Sequence, residues 1–309
     1  MPQYKTPLQT LNKSHISSVL HLIFLILLFF LLVFNQADSK EISEHKNSIE
    51  AIVMPQTPNI GDTVVLKVKK VKDKDEPPKI FFDKSKIPAF PISDSYYRSL
   101  IPLSASYKPK TYSIEIYYLG KSKKIDLNVQ DTKYPVENLT LTNAVAALRA
   151  SRIEKNLVFR ALSTASYEKL WSGQFIFPSE SKRSTSYGVK RRINGTFDPD
   201  YFHKGLDFAA PANSDVRAPE KGKVILAGLQ SIGFVVNGNC IFLDHGHGVV
   251  SGYLHLNKLL VKEGAIVNKG QVIGKVGSTG IASGPHLHWG IYVLGMTVDP
   301  MGWTSMLIE

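Results

Sequence analysis

Two histidines stand two residues apart in "GPHLHWG", Gly284–Gly290. Outside the first 45 residues the chain's histidines are His203, His245, His247, His255, His286 and His288. On a β-strand, positions i and i+2 share a face. His286 and His288 therefore address one small volume, where imidazoles can ligate a metal or carry protons. Alone, a His-x-His pair is a weak signal and reads more readily as two hydrogen-bonded surface histidines.

Two further stretches carry compatible groups. "HKGLD" holds His203 and Asp207, four positions apart. Gly205 argues against a helix there, so a loop and the start of a strand should bring the imidazole and carboxylate together. "YLHL" places His255 on a strand, on the face opposite Leu254 and Leu256. His203, Asp207 and one of His286 and His288 would give three protein ligands and leave a fourth zinc position open, the pattern of a catalytic site. His255 and the remaining partner could then act as general base and as donor to a developing oxyanion. The chain has no His-Glu-x-x-His helix and no Gly-x-Ser-x-Gly elbow, which argues against a zincin and a serine hydrolase. A single cysteine excludes a Cys-rich zinc site or an internal disulfide framework. That residue, Cys240, lies in the apolar run "GNCIFLDHG" and reads as a small buried hydrophobe. His245 and His247, in "DHGHG" between two strands, read as turn residues outside the metal site.

These side chains need a scaffold. A chain of 309 residues implies two or three domains. From Trp171 onward, short apolar runs alternate with Gly, Asn and Asp, which predicts an all-β domain of antiparallel strands over 171–309. Upstream, "TVVLKVKKV", "KIFF" and "YSIEIYYLG" alternate with period two, and prolines punctuate them. A small β-sandwich is expected over 40–135. Between them, 136–170 reads as a helical linker: Thr142–Thr164 has no Gly or Pro, begins with a cap candidate in Thr142 or Asn143, and spaces Val145, Leu148, Ile153, Leu157 and Leu162 roughly as a helix would. In residues 1–39 the apolar run Val19–Phe34 follows Lys5 and Lys13. Its length suits a signal-peptide core or a short membrane anchor, and either places the remainder outside the cytoplasmic membrane, in the periplasm or cell envelope.

"HKGLDFAAP", "GNCIFLDHGHGVVSGYLHL", "VKEGAIVNKGQVIGKVGSTGIASGPHLHWGIYV" and the closing "VDP" resemble the LytM-type, M23 family of zinc metallopeptidases. The resemblance covers about 171–303 and includes all five polar positions in order. It implies that His203, Asp207 and His288 ligate Zn2+, and that His255 and His286 are the catalytic histidines. It also implies a compact antiparallel sheet with a narrow groove and the metal at its floor. The implied substrate is peptidoglycan, cleaved in its stem peptides or cross-links. Some members place a tyrosine near the metal, for which Tyr187, Tyr201 and Tyr253 are candidates. The upstream region bears a weaker resemblance to the segment that precedes this domain in some exported members.

The alternative is a non-catalytic relative that binds peptidoglycan or activates another wall hydrolase; such relatives lack some of the five residues, which this chain retains. A structural envelope protein whose histidines merely hold metal is a third reading. The formal charge of +11 suits an anionic polymer such as cell wall. No nucleic-acid motif accompanies it. Direct D-alanyl cross-links are the favoured target, because the exported context resembles Gram-negative-type members. The upstream region is expected either to cover the groove at rest or to serve as a spacer.

Overall fold

Period-two patterning sets the upstream strands. In Thr111–Tyr118, Tyr112, Ile114, Ile116 and Tyr118 are buried while Thr111, Glu115 and Tyr117 face solvent. The computed structural model describes residues 48–71 and 76–305. Eight strands come first: β1 (Ala51–Met54), β2 (Thr63–Lys69), β3 (Lys79–Phe82), β4 (Ser85–Ile87), β5 (Phe90–Pro91), β6 (Tyr96–Pro102), β7 (Thr111–Tyr118) and β8 (Lys121–Asn128). They form two four-stranded sheets, β1-β2-β6-β5 and β4-β3-β7-β8. Tyr97 of one sheet meets Tyr118 of the other edge to face, with ring centroids 6.2 Å apart. The apolar run Val19–Phe34 lies outside the described residues. No helix among the described residues is long and apolar enough to cross a membrane.

The linker begins with β9 (Val136–Leu139). Two helices follow, α1 (Asn143–Ala146) and α2 (Arg152–Leu162). Thr142 caps α1 through its hydroxyl, and Ser151 does the same for α2. Such caps contribute about 1 kcal/mol each by satisfying a backbone donor that has no partner within the helix. Leu157, Val158, Ala161 and Leu162 turn one face of α2 onto Leu226, Phe234, Phe242 and Tyr292. Ile153, read from the sequence as part of the apolar stripe, is exposed. It sits in the first turn, away from the face that meets the core.

The C-terminal part supplies β10 (Lys182–Thr185), β11 (Lys190–Ile193), β12 (Thr196–Phe202), β13 (Leu206–Ala209), β14 (Asp215–Arg217), β15 (Gly222–Gly228), β16 (Asn239–Gly246), β17 (Val249–Leu259), β18 (Ile266–Val267), β19 (Val272–Val276), β20 (Leu287–Val293), β21 (Met296–Val298) and the closing helix α3 (Pro300–Ser305). Ten of these strands make one sheet, ordered β10-β13-β20-β17-β16-β15-β18, with β21 on β20 and β19 joining β14 to β17. All of its pairings are antiparallel. β20 is buried along its whole length between β13 and β17. A smaller sheet, β12-β11-β9, pairs the linker strand β9 in parallel with β11. The chain is thus mainly β, as its patterning predicts.

Residues 50–309 cluster as one unit, and one of its apolar clusters reaches from the first sheet into the C-terminal one. Val65 and Leu100 of the first sheet share a cluster with Trp171, Tyr187 and Trp303. Polar contacts pin the seam. Trp303 Nε1 donates to Thr63 Oγ1 at 3.1 Å, and the Ala105 amide donates to Tyr187 Oη at 2.9 Å. Arg98 is buried, with its guanidinium 4.8 Å from the Trp171 ring centroid and Nη2 2.8 Å from His247 Nδ1. Cys240 is fully buried among apolar neighbours.

His245 belongs to the core at the end of β16, while His247 occupies the following turn with φ 52. His245 Nδ1–H donates to the Lys221 carbonyl at 2.8 Å, and Nε2 accepts from Ser251 Oγ at 2.8 Å. Burial pushes its pKa down to about 4. The native state therefore keeps His245 neutral, whereas the unfolded chain protonates near pH 6.5. Its contribution to stability is complete above that pH and is lost as pH falls from about 6.5 to 4, by at most on the order of 3 kcal/mol. Melting temperature should fall over this window, and His245→Gln should flatten the slope. Identical slopes for parent and variant would exclude His245 as the titrating group.

Candidate metal centre

β13 and β20 pair with Asp207 directly opposite His288 and Leu206 opposite Trp289. This register puts the carboxylate and imidazole side by side. His203 arrives from the end of β12, one residue past Phe202. Between them Gly205 lets the chain pass close to β20: a Cβ there would run into the Trp289 carbonyl and lie 2.9 Å from His288 Nε2.

Three donor atoms converge as a result. His203 Nε2 lies 2.9 Å from Asp207 Oδ1 and 3.0 Å from His288 Nδ1, and His288 Nδ1 lies 2.9 Å from Asp207 Oδ1. All three residues are buried. Their protonation follows from their other partners. His203 Nδ1 is 2.9 Å from the Ser186 carbonyl, which can only accept, so Nδ1 carries the hydrogen and neutral His203 presents a bare Nε2. The Asp207 carboxylate is also an acceptor. Its second oxygen accepts from Arg191 Nη2 at 3.1 Å. Lone pairs converging in this way call for a cation. Ligand atoms around a tetrahedral ion with bonds of about 2.0 Å lie roughly 3.3 Å apart, close to the spacing observed, so the donor set fits a metal.

Two more imidazoles flank the triangle. The His255 ring centroid is 4.8 Å from that of His286 and 6.2 Å from that of His288. His255 sits in β17 with φ 64, a conformation unusual for a non-glycine residue. The ladder shifts register on both sides of it. Its Nδ1–H donates to the Thr279 carbonyl at 2.8 Å, leaving Nε2 bare. Burial, then the neighbouring His286 and His288, push its pKa down to about 3. His286 precedes β20, and its Nδ1 is fixed by the Gly284 carbonyl at 2.9 Å. Its Nε2 lies 3.9 Å from Asp207 Oδ1. His286 and His288 thus both reach Asp207, as their i, i+2 spacing requires.

All five residues singled out from the sequence therefore meet in one place. The tyrosines divide. Tyr187 is buried and donates to the Thr297 carbonyl at 2.9 Å, while Tyr253 is buried against Ser251 at 2.8 Å. Tyr201, two residues before His203 on β12, is partly exposed. Arg191 was not anticipated. "KRRING" shows only a basic run, and the β11–β12 hairpin is what delivers one of its arginines to Asp207.

Residues 201–300 match the model described as Peptidase family M23. These residues form an M23 domain. The match is narrower than the 171–303 span of the sequence resemblance and contains all five site residues. A Haemophilus influenzae protein named "Uncharacterized metalloprotease" is 34% identical over 178 residues, 55% of this chain and 36% of that protein. The Vibrio cholerae peptidoglycan DD-endopeptidase ShyA is 37% identical over 121 residues, 36% of this chain and 27% of that protein. The chain thus matches about a third of the length of these relatives. A Pseudomonas aeruginosa crystal structure named for peptidase M23 superimposes with a TM-score of 0.59 at 26% identity, covering 81% of this chain and 95% of that one. Its likeness extends beyond the M23 domain into the upstream region.

Proposed function

We propose that this chain is a zinc-dependent endopeptidase that hydrolyses peptide bonds in peptidoglycan during cell-wall remodelling. The observation that carries the reading is the convergence of bare His203 Nε2, Asp207 Oδ1 and His288 Nδ1 beside two further imidazoles. Two imidazoles and one carboxylate suit zinc, and three protein ligands leave a position for water or substrate. Zinc, when bound, supplies Lewis acidity toward a carbonyl and toward water.

The chain's own residues supply the rest. His255, locked by the Thr279 carbonyl, offers Nε2 as the acceptor for a proton from attacking water. In its imidazolium form His286 would keep Nδ1–H on the Gly284 carbonyl and donate Nε2–H to the oxyanion as the carbonyl carbon becomes tetrahedral. Arg191 holds the outer oxygen of Asp207 so that the inner one faces the cluster. Burial around the site strengthens these interactions relative to water.

The DD-endopeptidase activity named for the Vibrio relatives supports direct D-alanyl cross-links as the target. The envelope is the matching location, with export through the Val19–Phe34 segment as signal or anchor. Digestion of cell walls of known cross-link type, with mass spectrometry of the released fragments, tests this. Fragments split at the D-alanyl cross-link are expected; fragments cut elsewhere would reassign the bond.

Every hydrogen bond and ion pair of the five site side chains is made with residues 184–288. Among the described residues, therefore, the expectation that the upstream region covers the groove gains no bonded plug. The linker instead bonds to a loop that in turn contacts His255.

A further inference from the structure

Ser151-Arg152-Ile153-Glu154 has the sequence of a helix capping box, in which the glutamate reaches back to its own N-terminus. Ser151 does cap, accepting from the Glu154 amide at 3.0 Å. The Glu154 side chain goes elsewhere. It is 1% exposed, and its carboxylate accepts three backbone N–H groups from one loop of the M23 domain: Val235 and Val236 at 3.1 Å each and Asn237 at 2.7 Å. A buried carboxylate is costly unless fully hydrogen-bonded, so this is a built contact. Ser151 adds a second tie, donating to the Gly233 carbonyl at 2.7 Å.

The clamped loop is the one that holds His255. The Asn237 carbonyl accepts the His255 amide at 3.0 Å, and the Val236 carbonyl accepts the Ile281 amide at 2.9 Å. Ile281 lies two residues after Thr279, whose carbonyl takes the His255 ring proton at 2.8 Å. Gly238 packs so tightly that a Cβ would run into Thr279. Both the backbone and the ring of His255 are thus held by segments anchored on 236–237. His255 needs that support, because its φ of 64 persists only where its surroundings over-determine it.

We infer that Glu154, on the linker helix outside the matched family region, is a positioning residue for His255. Its carboxylate fixes the 235–237 loop, and that loop fixes the imidazole in the orientation that accepts the proton. The inference rests on the proposed role of His255 in peptide hydrolysis. It gives the linker a role beyond spacing: the helix completes the wall behind the catalytic histidine.

The test uses the full chain loaded with zinc, acting on purified cross-linked muropeptide. Glu154→Ala removes the clamp. Glu154→Gln keeps the volume but turns an amide N–H₂ toward backbone donors, and it decides the matter should the alanine variant fail to fold. Misplacement of a proton acceptor should lower kcat by roughly 10- to 100-fold with KM and zinc content near those of the parent. NMR gives an independent reading: the His255 Nδ1 ring proton should exchange faster with solvent in the variant, while that of His245 on the Lys221 carbonyl should not change. A parent-like kcat, or a loss accompanied by equal changes at both ring protons, would overturn the inference. An inactive parent would instead overturn the functional reading on which it rests.

Discussion

Asp207→Ala and His203→Ala proteins will emerge from purification with little or no zinc and with hydrolysis at background. Each substitution removes one of three donors that meet within 3.0 Å of one another. Two remaining protein ligands make a weak site, so zinc occupancy should fall at least about tenfold at equal free metal. Asp207→Ala has a second consequence. It leaves Arg191 facing two imidazoles without the carboxylate that now separates them, which disfavours a cation further. Elemental analysis after dialysis against a weak chelator reads the effect directly. Zinc retained at one equivalent in both variants would show that these residues do not form the metal site.

His255→Ala and His286→Ala should behave in the opposite way. Neither ring lies within the three-donor triangle, so the metal should stay. Turnover should fall by about 10²-fold or more, the usual loss for a missing proton acceptor or oxyanion donor. The two variants should also differ. His255 is almost wholly buried and bound to the Thr279 carbonyl, so its loss empties space behind the site. His286 is more open, and its removal should leave the fold and melting temperature nearly unchanged. Wall hydrolysis near parental rate by either variant would place the proton chemistry elsewhere.

What could be read in advance follows from the range of each interaction. His286 and His288 were legible because strand periodicity is local: two residues apart means one face. The antiparallel strands, the Thr142 cap and the buried Cys240 were legible for the same reason. The partnership of Asp207 with His288 depends on the β13–β20 register, which spacing alone does not reveal; the family resemblance supplied it. Arg191 and Glu154 left no such trace. One is delivered by a hairpin with a register shift, and the other wears the local signature of a capping box while serving a distant loop. Simple alternation also misrepresents His255, because its position has left-handed backbone between two register shifts, and Tyr253 nearby is buried in the core.

The central claim is that a metal held by His203, Asp207 and His288 lets His255 and His286 hydrolyse a peptide bond. Its most direct test is one titration. The protein covering residues 40–309 is stripped with a chelator, and zinc is added back stepwise while cleavage of a purified D-alanyl cross-linked muropeptide dimer is followed by mass spectrometry. The account predicts no cleavage in the stripped protein, recovery that saturates at about one zinc per chain, and release of the two monomers with one water added across the cross-link. Cleavage that persists without metal, or full occupancy of the site with the dimer left intact, would contradict it.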